Sequence, residues 1–114
     1  MKIINENIMS SDNYQALKDL KNRLLNFFGI EKIILFGSNV RTEANEESDC
    51  DLLILTDHPL KRFDRHKITD AIFDINLLYG TNYSSLVVDR TSWESGPISV
   101  LPITEEIRRD GIVI

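Results

Sequence analysis

The sequence predicts an α/β (α+β) fold, a single domain built on one small mixed sheet. Three observations carry this. Short apolar runs rich in β-branched residues recur at 30–36, 49–56 and 83–89, each of strand length. Segments before and between them repeat apolar residues at spacings of three and four, the period of a helix face. The chain has 114 residues, 42% of them hydrophobic and 27% charged, which suits one domain with one core and hardly two.

Residues 1–11 are polar with two apolar touches, Ile3-Ile4 and Ile8-Met9, and are expected to form a loosely held lead-in. A helix is expected from Ser11 or Asp12, both good N-cap residues, with Tyr14, Leu17, Leu20, Leu24, Phe27 and Phe28 as its apolar stripe. Gly29 stands where a C-terminal glycine would end it. A strand follows over Ile30–Phe36 and closes at Gly37-Ser38. Residues 39–48, NVRTEANEES, read as a short helical turn and an exposed loop. The second strand, Asp49–Thr56, places Asp49, Asp51, Leu53 and Leu55 on one face and Cys50, Leu52 and Ile54 on the other. Pro59 suits a helix start, with Leu60, Phe63, Ile68, Ala71, Ile72, Ile75 and Leu78 as a stripe ending at Gly80. Tyr83–Asp89 is the third strand; a last helix over Pro102–Arg109 stops at Gly111, and Ile112–Ile114 pack back.

Composition removes several function classes. The 18 acidic residues outnumber the 13 basic ones, giving a net charge of −5, which argues against broad binding to nucleic acid or an anionic membrane. No run approaches the length of a membrane-spanning helix, and the N-terminal MKIINENIMSSD lacks the continuous apolar core of a signal peptide. Cys50, the single cysteine, has no internal disulfide partner and cannot build a thiolate metal site alone. The expected compartment is the cytoplasm.

One segment carries chemistry: Phe36-Gly37-Ser38, ten residues, then Asp49-Cys50-Asp51. Gly37 at a strand end lets backbone approach a ligand closely, and Ser38 adds a hydroxyl beside a turn whose backbone N–H groups can cradle phosphate. Asp49 and Asp51 project from the same strand face. Two adjacent carboxylates repel unless a cation lies between them, and hard oxygen ligands favour Mg²⁺ or Mn²⁺. A phosphate cradle beside a metal-binding acid pair suits phosphoryl or nucleotidyl transfer. Glycine and serine at strand ends usually form plain turns, and a lone Asp-x-Asp is usually surface charge. All four residues at this spacing should arise by chance in roughly one chain in a thousand of this length.

The stretch ILFGSNVRTEANEESDCDLLIL resembles the Gly-Ser-x10-Asp-x-Asp signature of the DNA polymerase β-type nucleotidyltransferase superfamily, and specifically its minimal nucleotidyltransferases. The resemblance implies one catalytic domain over 1–114, with helices packed mainly on one face of the sheet. It implies that Gly37 and Ser38 hold a nucleoside triphosphate, that Arg41 helps neutralise phosphate, and that Asp49 and Asp51 are the catalytic, metal-binding acids. It further implies transfer of NMP, AMP from ATP, to a hydroxyl acceptor, with Mg²⁺ or Mn²⁺ as cofactor. Small members are commonly paired with an α-helical HEPN toxin, so the resemblance implies a HEPN-type partner, antitoxin action and an acceptor on that protein. A homo-oligomer is left open. Asn39 and Thr42 depart from the commoner Arg and Gly of the family's turn.

The family's third carboxylate lies early on the next strand, and there this chain reads YSSLVVD. Ser85 is expected at that place, with Asp89 a distant alternative about 13 Å along the strand. A missing third acid gives the competing reading: a degenerate nucleotidyltransferase fold that neutralises its partner by sequestration. The other polar candidates are read as ordinary surface. His58 and His66 are expected in solvent, Lys61, Arg62, Arg65 and Lys67 as the wet face of a helix, and Trp93 as packing at the domain edge.

Overall fold

The computed structural model describes residues 2–3, 11–27, 29–37 and 50–114. Its strands there are β1 (Lys2–Ile3), β2 (Ile30–Phe36), β3 (Cys50–Thr56), β4 (Tyr83–Asp89) and β5 (Ile112–Val113). They form one sheet in the order β1-β5-β2-β3-β4. β3 runs antiparallel to β2 and parallel to β4, β5 is antiparallel to β2, and β1 is parallel to β5. The sheet is therefore mixed, as expected. A parallel neighbour requires a long crossover, which α2 (Arg62–Tyr79) supplies between β3 and β4.

Side-chain alternation divides the core between two faces. Ile33, Leu35, Leu52, Ile54 and Tyr83 meet Leu17, Leu20 and Leu24 of α1 (Ser11–Leu24) and Ile68, Ile72 and Ile75 of α2. Ile34, Leu53, Leu55 and Val88 meet Trp93 of α3 (Arg90–Ser95) and Ile107 of α4 (Pro102–Asp110). β3 is covered on both sides, so it reads as one unbroken apolar run rather than an alternation. The two long helices share one face, while shorter helical segments cover the other.

Some boundaries differ from expectation. α2 begins at Arg62, beyond Pro59, and its buried stripe is Ile68, Ala71, Ile72 and Ile75. Phe63 and Leu78 belong to the helical period but stand 71% and 63% exposed, because the sheet covers a narrower arc than their spacing suggests. Phe27 lies past the end of α1, packed partly against the core, and Phe28 lies outside the described residues. Within the lead-in, Lys2 and Ile3 pair with Ile112 and Val113 as an edge strand. α3 was not foreseen; Trp93 buries its ring beneath it, 7% exposed.

Candidate active site

β2 ends by delivering Phe36 opposite Asp51 of β3. The next residue, Gly37, has φ +115°, a conformation that residues with a Cβ rarely adopt. A Cβ there would meet Asp51 Oδ2 at 3.2 Å. The backbone angle favours glycine, and a Cβ would also press on the carboxylate beside it. On the other side of β3, Asp51 pairs in register with Ser84 of β4. The Ser84 hydroxyl donates to Asp51 Oδ1 at 2.6 Å. Asp51 is half-buried and Ser84 exposed. The Asp51 carboxylate therefore lies between Gly37, just past the end of β2, and the Ser84 hydroxyl of β4, on strands spaced about 4.8 Å apart.

Asn76 of α2 holds the start of β4 in place. Its Nδ2 donates to the Tyr83 carbonyl at 3.0 Å, and its Oδ1 accepts from the Tyr83 amide and the Thr81 hydroxyl, each at 2.9 Å. Tyr83 is buried against the long helices, so the next residue, Ser84, must face the opposite way, towards Asp51. Local connectivity thereby sets the register that the site uses.

The family model of the nucleotidyltransferase domain matches residues 17–106, from within α1 into α4. The chain belongs to the nucleotidyltransferase-domain family. It is also similar to "Putative protein adenylyltransferase MJ1305" of Methanocaldococcus jannaschii, 44% identical over 59 residues. Those residues make up 50% of this chain and 40% of that relative, so the chain spans well under two thirds of the relative's length.

Within this nucleotidyltransferase domain, the structure revises one sequence expectation. Ser85 pairs with Leu52, whose side chain enters the core under the long helices. Ser84, not Ser85, stands across from Asp51; a shift of one residue along a strand exchanges its faces. Asp89 is further removed still. It pairs with Thr56 at the far end of β3, about 17 Å along the strand from Ser84. There it caps α3, accepting from the Ser92 amide at Oδ2 (3.0 Å) and from the Ser92 hydroxyl at Oδ1 (2.7 Å). The Ser92 hydroxyl, then its amide, hold the Asp89 carboxyl below the usual carboxylate range. Asp89 is committed to a structural task.

Gly37 and Asp51 are brought together as the motif implied. Ser38, Arg41 and Asp49, together with the expected turn at 39–48, lie outside the described residues. Sequence reasoning missed Ser84, although a signal was present: counting outward from the buried, aromatic Tyr83 would have assigned Ser84 to the Asp51 face. Lys61, Arg62, Arg65 and Lys67 are exposed at the start of α2, after the opposite end of β3, and do not converge on Asp51. Lys67 instead lies over the Phe63 ring, 4.7 Å from its centroid. His58, expected in solvent, is half-exposed and paired through Nδ1 with the Asp57 carboxylate.

The donor chemistry suits a hard divalent cation, since the Asp51 carboxylate and Ser84 hydroxyl offer oxygen and nothing softer. Among the described residues, no three His, Cys, Asp or Glu side chains gather into a metal site. Of the motif's two acids, Asp51 lies among the described residues and Asp49 does not. None of the helices among the described residues is long and apolar enough to cross a membrane.

Proposed function

We propose that this domain transfers a nucleoside monophosphate, AMP from ATP, to a hydroxyl on a partner protein, the partner being a HEPN-type toxin and the outcome its neutralisation in the cytoplasm. One observation carries the reading: Gly37, at a backbone angle suited to glycine, opens space directly against the Asp51 carboxylate at the end of β2. That is where a phosphate chain must come close to an acid that can share a cation with it. The family match and the name of the archaeal relative support the reaction class.

In this mechanism Gly37 and Ser38 receive the triphosphate, and Arg41 offsets its charge. Asp49 and Asp51 would hold Mg²⁺ or Mn²⁺, which when bound shields phosphate charge and makes an acceptor hydroxyl more acidic. The acceptor oxygen bonds to the α-phosphorus as its bond to the bridging oxygen breaks, and pyrophosphate leaves with that electron pair. The acceptor's proton leaves to water. Ser84 keeps Oδ1 of Asp51 oriented, leaving Oδ2 towards Gly37.

A second reading is favoured by Ser84 itself. A hydroxyl and not a carboxylate faces Asp51 from β4, which supports a degenerate domain that neutralises its partner by sequestration alone. Purified domain, the helical protein of a neighbouring reading frame, Mg²⁺ and α-labelled ATP separate the two. Transfer requires that wild type label the partner and that Asp49→Ala/Asp51→Ala not do so. Sequestration requires that neither label it and that both suppress it.

A further inference from the structure

We infer that Ser84 is itself an acceptor, so that the domain modifies its own β4 strand with a nucleoside monophosphate. The inference rests on the nucleotide-binding part of the reading above and names one substrate of the same site. Ser84 Oγ donates to Asp51 Oδ1 at 2.6 Å, which holds the hydroxyl beside the carboxylate that faces Gly37. Ser84 is exposed, so a triphosphate bound beside Asp51 can reach it.

The order across the sheet supplies the second argument. Gly37 lies on one side of Asp51 and Ser84 on the other. A triphosphate entering at Gly37 with its α-phosphorus beside Asp51 points that phosphorus at Ser84. Two strand spacings, about 10 Å, separate the outer strands, so a short phosphate chain can bridge them. In the step, Ser84 Oγ bonds to the α-phosphorus of a nucleoside triphosphate, the bond to the β-phosphate oxygen breaks, and pyrophosphate departs. The hydroxyl proton leaves to water. The product is a phosphodiester on Ser84 that leaves a nucleotide lying across the site, blocking a second triphosphate.

The test uses the full chain with Mg²⁺ and α-labelled ATP, read by intact mass and peptide mapping, with ATP binding measured separately by calorimetry. The chain should gain the mass of one AMP on the peptide carrying Ser84, and a fraction of the protein as purified from cells should carry it already. Ser84→Ala should lose the label, Ser84→Thr should regain part of it, and Ser85→Ala, on the opposite strand face, should keep both the label and ATP binding. A chain that binds ATP but stays unmodified, or is labelled elsewhere, overturns the self-acceptor inference and leaves transfer to a partner standing. A chain that binds no ATP overturns both.

Discussion

Replacing Gly37 by alanine tests the geometry of the site in the most direct way. Two costs add. At φ +115° a residue with a Cβ occupies a sparsely populated backbone region, which costs on the order of 1–3 kcal/mol. The new methyl also stands 3.2 Å from Asp51 Oδ2, closer than a comfortable contact, so the carboxylate must give way by a few tenths of an ångström. Its freedom to do so is limited, because the Ser84 hydroxyl holds its other oxygen at 2.6 Å. Gly80 is the internal comparison: φ is +67° and nothing lies within 4 Å of its would-be Cβ, so Gly80→Ala carries the left-handed cost alone, about 1 kcal/mol. Gly37→Ala should therefore cost about 2–3 kcal/mol, more than Gly80→Ala, and should also weaken ATP binding. Urea unfolding followed by fluorescence of Trp93, the sole tryptophan and well buried, measures both variants. If Gly37→Ala were no more destabilising than Gly80→Ala, the contact between the strand-end glycine and Asp51 would not exist as described.

Other outcomes follow from the same structure. Gly111→Ala should destabilise by about 1–3 kcal/mol in the same unfolding assay through overpacking alone, because its Cβ would lie 2.5 Å from the Ile107 carbonyl and 2.6 Å from Ile34 Cγ2 at an ordinary φ of −63°. Asn76→Ala leaves the Tyr83 amide and carbonyl without their side-chain partner; it should cost about 1–3 kcal/mol and speed hydrogen exchange at Tyr83. Asp89→Ala removes the cap of α3 and should lower Tm at neutral pH. The native Asp89 carboxyl titrates below its ordinary 3.8, so its stabilisation is present above that value and is lost as pH falls through the lower, folded-state pKa. The Tm gap between wild type and Asp89→Ala should accordingly close in acid.

The elements were legible where a local period was strong. Ile30–Phe36 and Tyr83–Asp89 form the strands expected from their β-branched runs, and Pro102 and Gly111 bracket the last helix as a proline start and a glycine stop should. α3 was hidden because RTSWES has no apolar period; one buried tryptophan and a capping aspartate are enough to form it. The exposed Phe63 and Leu78 misled for the opposite reason, since a helical period records which residues share a face but not how far the partner surface extends.

For the site, the sequence alone held the motif: a glycine at a strand end, an acid pair two residues apart, and the family that carries them. These are short-range features, written in neighbouring residues and their spacing. Tertiary structure decided which side chains meet. The alignment of Asp51 with Ser84 joins residues 33 positions apart, and the displacement of Asp89 to the far end of the same strand follows from the same pairing. Strand register is set by packing α2 and Tyr83 against the core, with Asn76 pinning the turn. A slip of one residue would have exchanged Ser84 for Ser85, and what tells the two serines apart is the burial of Tyr83 beside them.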